Sequence, residues 1–218
     1  MKYRNKNIQI SCDGGAATGK STGAKLIAKK YKLKFLSSGL LYRYASLLII
    51  KYKPKDRLKF LKKKFKKLNY KRLESINLQT PEITEYSSVI AKNKKIRNIL
   101  KEFQVNFSKK NKNCCIEGRD ISTKIIPKSD IKFFFKCSLA IAASRRYKEL
   151  KKIDTSIKLK NVKKALRYRN ILDVTRKYSP LLKHRNSIEI DTGKMNKQEM
   201  LKKMSDYVEK TLLEKYGS

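Results

Sequence analysis

Between Ile8 and Ala28 the chain reads IQISCDGGAATGKSTGAKLIA. The apolar residues alternate at first (Ile8, Ile10, Cys12) and then follow helical period (Leu26, Ile27), so the stretch reads as strand, tight loop and helix. Between the two lies Gly14-x-x-x-x-Gly19-Lys20-Ser21, the spacing of a phosphate-cradling loop. Glycines let the backbone turn its N–H groups inward, so amides from about Gly15 to Ser21, at a helix N-terminus, surround phosphate oxygens. Gly14, Gly15, Ala16, Ala17, Thr18, Gly19, Lys20, Ser21 and Thr22 are the expected nucleotide-phosphate residues. Lys20 is expected to reach the β- and γ-phosphates, and the Ser21 hydroxyl to hold Mg²⁺. A chance Gly-Lys-Ser turn is the competing reading, and the flanking strand and helix speak against it.

The 218 residues allow one α/β domain with an insertion. No apolar run is long enough to span a membrane, and Met1-Lys2-Tyr3-Arg4 leads towards the first strand without an apolar signal segment, which predicts a cytoplasmic protein. Cys12, Cys114, Cys115 and Cys137 show neither metal-ligand nor disulfide spacing and read as small buried hydrophobes in strand-like runs. A net charge of +38 is what a nucleic-acid binder would carry. The excess is overwhelmingly Lys, with Ile and Asn also abundant, so codon bias over solvated surface is the favoured explanation, ahead of a selected polyanion surface. The favoured reading is that nucleic acid is not a specific partner.

Further along, Lys32 to Leu36 reads as a second strand, followed by Ser37-Ser38-Gly39 and a helix from Leu40 to about Ile50 that starts with Tyr42-Arg43. An Arg in a first helical turn opposes the macrodipole, and a bound phosphate would justify it. Lys51 to Arg72 is the densest charge run, and Leu58, Leu61, Phe65 and Leu68 within it predict an amphipathic helix with a lysine-covered face. Thr80-Pro81-Glu82 starts a helix through Ser88 and Ile90; a further helix runs from about Lys94 to Phe107 with Ile96, Leu100 and Phe103 inward. Asn113 to Glu117 reads as a strand buried on both faces and ends in Gly118-Arg119-Asp120. Then come a strand at Ile131 to Phe135, a helix from Leu139, a polar helical segment from about Leu159 to Lys177, a strand at Ser187 to Asp191 and a helix from about Lys197 to Lys215. Strands alternating with helices predict a five-stranded parallel sheet with helices on both faces and ligands beyond the strands' C-terminal ends. The arginines of the second half cluster at 119, 145, 146, 167, 169 and 176, and where composition favours Lys a retained Arg points to a planar, bidentate fork. Exposed helix pairs such as Arg169 with Asp173 are the alternative for any one of them.

Together, the loop, Ser38-Gly39-x-x-Tyr42-Arg43, Thr80-Pro81-Glu82 with Ser88, Ile96-Arg97 with Gln104, Glu117-Gly118-Arg119-Asp120-Ile121-x-Thr123, Arg145-Arg146-Tyr147 and Arg169-x-x-x-Asp173-x-x-Arg176-x-x-x-Pro180-Leu181 resemble bacterial cytidylate kinases, in order from about Ile8 to Asp191. The resemblance implies a nucleoside-monophosphate-kinase fold over 1–218, with a shortened CMP-binding insertion at about 51–110 and a lid at about 155–180. It implies ATP-dependent, Mg²⁺-assisted phosphorylation of CMP and dCMP by a monomer. By the same resemblance, Ser88 and Arg97 bind the cytosine, Ser38 and Asp173 the sugar, and Arg43, Arg119 and Asp120 the CMP side, with Arg176 reaching in from the lid. Lys20, Arg119, Arg145, Arg169 and Arg176 are the implied catalytic set. The chain departs from the family pattern at Ser37 (usually Asp), Gln79 (usually Arg) and Ser122 (usually Gly); the lid lacks several carboxylates, Asn170 standing for one. The alternatives are another small-molecule kinase with the same loop, or a degenerate loop protein that binds RNA through Lys51 to Arg72; intact Lys20, Ser21, Arg119 and Asp173 speak against degeneracy.

Overall fold

The structure, a computed structural model, describes residues 7–217; the run Met1 to Arg4 lies outside the described residues. In chain order the elements are β1 (Gln9–Gly14), α1 (Lys20–Lys30), β2 (Lys34–Ser37), α2 (Ser38–Tyr52), α3 (Arg57–Lys66), α4 (Pro81–Ile90) and α5 (Lys94–Lys110). They continue with β3 (Cys114–Gly118), β4 (Ile131–Lys136), α6 (Leu139–Lys151), α7 (Leu159–Thr175), β5 (Ile188–Asp191) and α8 (Lys197–Tyr216). The chain divides into two compact units, one running through Leu36 and resuming at Asn111, the other Ser37–Lys110.

The first unit is built on a five-stranded sheet of order β2-β3-β1-β4-β5. β1 pairs in parallel with β3 and β4, and β4 with β5. Asp13 lies opposite Gly118, Gly14 opposite Phe135, and Lys136 opposite Asp191, so the loops leaving β1, β3, β4 and β5 emerge at one edge. Ile10, Cys12, Ile131, Phe133, Phe135 and Ile190 meet Ala24, Ile27 and Ala28 of α1 and Met200, Met204, Val208 and Leu212 of α8 in the main core. The period-four spacing of the α8 residues makes one apolar stripe, and a capping box between Asn196 and Glu199 fixes where that helix begins. β3 is buried along its whole length, as its continuous apolar run predicts.

In the second unit, α2 packs on α4, and α3 on α5. The Phe65 ring lies 6.0 Å from both Tyr44 and Phe103, edge-on to the latter. The lysine-rich run differs from the single helix expected. Lys51 and Tyr52 end α2, Pro54 interrupts, Asp56 caps the shorter α3 by accepting from the amides of Leu58 and Lys59, and Tyr70–Ser75 forms a 3-10 turn. Leu61 and Phe65 are its buried stripe, while the lysines at 59, 62, 63, 64 and 66 are exposed.

Three local expectations change. α2 starts at Ser38, capped by the Ser37 hydroxyl, which moves Arg43 into the second turn and weakens the macrodipole argument made for it. Cys137 follows β4 in a half-buried loop, whereas Cys12, Cys114 and Cys115 are buried in strands. α7 is an ordered helix with more apolar periodicity than its composition suggests, since Val162 and Leu166, one turn apart, pack with Ala142, Ala143 and Ala16.

Candidate functional site

The phosphate loop is held open by backbone geometry. Gly14 has φ 156°, and a Cβ there would lie 2.5 Å from the Phe135 carbonyl oxygen, so only glycine fits. Gly19, the residue before α1, has φ 82° and supplies no side-chain cap, which leaves the first amides of α1 available to an anion. Ala17 adopts the left-handed region at φ 56°, a conformation that costs a non-glycine residue on the order of 1 kcal/mol.

Lys20 opens α1 and is buried, with its ammonium donating to the Gly15 carbonyl at 3.4 Å and lying 3.6 Å from the Glu117 carboxylate. Burial lowers its pKa from 10.5 to about 8; Arg119 and Arg169 push in the same direction, Glu117 and Asp173 against it. Ser21 and Thr22 project from the first turn into solvent. Among the described residues no group of three His, Cys, Asp or Glu side chains could hold a metal alone. A hard divalent cation would fit with Ser21 Oγ as one oxygen ligand and its remaining oxygen ligands supplied with the nucleotide.

Asp13, at the end of β1, organises the loop after β3. Its carboxylate accepts from the Ile121 amide at 2.8 Å, the Ser122 amide at 2.7 Å and the Ser122 hydroxyl at 2.6 Å. A single π-helical turn, Ile121–Ile125, follows and buries Ile121 and Ile125. Burial pushes the Asp13 carboxyl from 3.8 up to about 6, against these three hydrogen bonds, and Asp120 adds to the rise. Ser122, which departs from the family pattern, thus contributes one bond that glycine could not.

Arg119 leaves this loop and donates from Nε to Asp173 Oδ2 at 2.7 Å. Arg176 donates to Asp173 Oδ1 at 3.2 Å and from Nε to the Ser179 carbonyl at 2.6 Å. Burial would raise the Asp173 pKa, but Arg119, then Arg176 and Arg169, hold it below the ordinary carboxylate range. Arg119, Arg169, Asp173 and Arg176 are thus brought together with Lys20. Asp120, next in the chain to Arg119, is buried. Arg145 is placed differently. Its guanidinium donates to the Thr192 hydroxyl at 2.8 Å and carbonyl at 2.7 Å, and Thr192 Oγ1 donates to the Thr18 carbonyl at 2.9 Å. It supports the phosphate loop from the β5 side.

The remaining expected residues lie in the second unit. Ser38 is buried at the start of α2, and Arg43 folds back beside Gly39. Ser88 is half-buried on α4. Arg97 is buried on α5, donates to the Ala91 carbonyl at 3.2 Å and lies over the Tyr42 ring at 5.5 Å. Ser37 donates its amide to the Tyr70 hydroxyl at 2.7 Å, and Gln79 is exposed.

Sequence reasoning passed over Asp13, Glu117, Thr192 and Asn170 as site residues. The first two carried a legible signal, an acid closing an otherwise apolar strand. Asn170 was marked only as standing for a family carboxylate, and Thr192 carried no signal, because their partners are decided by how α7 and β5 dock.

A family model described as cytidylate kinase matches residues 10–210. The chain is 34% identical to the cytidylate kinase of Fusobacterium nucleatum over 215 residues, covering 94% of this chain and 98% of that one. It is 32% identical to the cytidylate kinase of Clostridium tetani, covering 96% and 97%. Among solved structures, shikimate kinase from Acinetobacter baumannii in complex with shikimate superposes with a TM-score of 0.51 at 13% identity, covering 97% of this chain and 98% of that one. TT1252 from Thermus thermophilus superposes with a TM-score of 0.53 at 15% identity, covering 95% and 99%. At such identities these two likenesses speak for the fold alone.

Proposed function

The chain belongs to the cytidylate kinase family, and from that premise we infer that it transfers the γ-phosphoryl group of ATP to CMP and dCMP, giving CDP or dCDP and ADP. The observation that carries this reading is a buried lysine at an uncapped helix start, next to two arginines assembled on one aspartate. Phosphoryl transfer needs positioning and positive charge rather than a covalent intermediate, and this set supplies both.

In the transfer, an α-phosphate oxygen of CMP attacks the γ-phosphorus and the bond to the β,γ-bridging oxygen breaks, leaving ADP. The loop amides from Gly15 to Ser21, with Thr22, bind the ATP phosphates. Lys20 balances charge on the β- and γ-oxygens, and Mg²⁺, when bound with ATP, supplies further charge neutralisation from the side of the Ser21 hydroxyl. Asp173 keeps Arg119 and Arg176 side by side without mutual repulsion; both then act on the CMP phosphate and the transferring group, with Arg169 adding positive potential. Arg145 acts through Thr192 on the loop. From the second unit, Arg43 takes the α-phosphate and Ser38 the sugar, while Ser88 accepts from the cytosine amino group and Arg97 donates to N3 and O2. Uracil presents the opposite pattern at N3 and position 4. The segment of about 51–110 serves as the CMP-binding insertion and about 155–180 as the lid.

The test is a coupled assay of ADP release with CMP, dCMP, UMP and AMP. Turnover with CMP and dCMP far above UMP and AMP is expected; a preference for AMP or no turnover would overturn the reading. Arg97→Met should cut kcat/KM for CMP much more than for UMP, because a hydrogen-bonding site left unpaired is penalised heavily.

A further inference from the structure

Helix α7 touches the phosphate loop through a residue outside the arginine set. The Asn170 side-chain oxygen accepts from the Ala16 amide at 3.2 Å, and it would lie 3.3 Å from a Cβ built on Gly15. Ala16 belongs to the run of amides expected to face phosphate oxygens. The same helix packs on Ala16 through Val162 and Leu166. Three residues beyond Asn170, on the same helical face, Asp173 holds Arg119. One face of α7 therefore bridges the loops after β1 and β3.

We propose that Asn170 is a two-way contact of the phosphate loop, its carbonyl oxygen competing with ATP for the Ala16 amide and its NH₂ group donating to an ATP phosphate oxygen once that amide is surrendered. A side-chain amide carries an acceptor and a donor on one carbon, so rotation about its last torsion exchanges them. A carboxylate in this position could accept from Ala16 equally well. It has no donor for phosphate and would set a negative charge against the polyphosphate beside the buried Lys20. An aliphatic residue would make neither bond. Asn170 is thereby both a bolt between α7 and the loop and a phosphate contact of the closed form.

The proposal rests on the reading that this loop binds ATP. Its test compares Asn170→Asp and Asn170→Ala by calorimetry with Mg²⁺ and a non-hydrolysable ATP analogue, and by hydrogen exchange of α7 without nucleotide. Asn170 is half-buried and makes one side-chain contact with the loop, so both variants should keep the wild-type melting temperature within a few degrees. Asn170→Asp should retain the wild-type exchange rate of α7 yet bind the analogue ~10-fold or more weakly, having kept the competitor and lost the donor. Asn170→Ala should speed α7 exchange ~10-fold, while its affinity for the analogue stays within about threefold because competitor and donor are lost together. Wild-type affinity in the Asp variant would overturn the donor role, and unchanged α7 exchange in the Ala variant would overturn the bolt. If the wild type binds the analogue but fails to phosphorylate CMP, the functional reading fails while both arms still decide the role of Asn170. If the wild type binds no analogue, the ATP reading and the donor role fall together, and the exchange arm decides the bolt.

Discussion

Lys20 and Asp13 carry most of the site's pH behaviour, and the two titrate on opposite sides of neutrality. Lys20→Ala should preserve the fold and lower kcat ~10²-fold or more if, as proposed, its charge acts mainly on the transferring group. In the free protein burial brings its pKa to about 8, so kcat/KM for ATP should decline above that pH. The alkaline limb of kcat should lie higher, because bound polyphosphate favours the ammonium form. For stability the sign runs the other way. Between about 8 and 10.5 the unfolded chain holds a proton that the folded chain has released, so stability gains with rising pH over that window. Asp13 is the converse case. Raised from 3.8 to about 6, it binds a proton in the folded state that the unfolded chain has lost, so its contribution falls as pH rises from about 4 to 6 and is flat above. Ser122→Gly removes one of its donors and should move the acid limb of kcat/KM to higher pH; an unmoved limb would show that the hydroxyl does not bear on the ionised carboxylate.

α7 was legible as a polar, arginine-bearing helix but not as a docked one. Its apolar stripe is only Val162 and Leu166, interleaved with Lys163, Lys164 and Arg167, and a stripe so narrow identifies a buried face only once α6 lies against it. The same helix exposes Tyr168, Ile171 and Val174. A helix with a small buried face, tied by single contacts at Asn170 and Asp173, belongs at the low end of local stability. As the proposed lid, it should show exchange slowed when ATP and CMP analogues are added together, beyond what either analogue achieves alone. Global protection of α7 without ligands, equal to that of β1, would refute the lid assignment. α3 teaches a related lesson. Helical spacing from Leu58 to Leu68 found its buried face, while Pro54 and the Asp56 cap set an N-terminus that hydrophobic periodicity does not register.

Across the molecule the net charge is +38, and the exposed lysines of α3 stand opposite its buried Leu61 and Phe65. If composition alone produced that excess, RNA binding at ~150 mM salt should be weak and indifferent to sequence, because screening beyond roughly 8 Å suppresses diffuse attraction. Sub-micromolar binding abolished by changing Lys62, Lys63, Lys66 and Lys67 to Gln, with CMP turnover intact, would instead make α3 a second binding surface. What the sequence determined by itself is the set of features that neighbouring residues dictate: glycines where the backbone must turn, helix starts marked by caps, apolar period, and the order of the family's motifs. What the tertiary structure decided are pairings between distant residues, Asp13 with Ser122 at a separation of 109, Ala16 with Asn170 at 154, and Arg145 with Thr192 at 47. Hydrogen bonds of fixed length leave no periodic trace in the chain, and which acid meets which base is settled only when strand register and helix docking place their side chains within about 3 Å of one another.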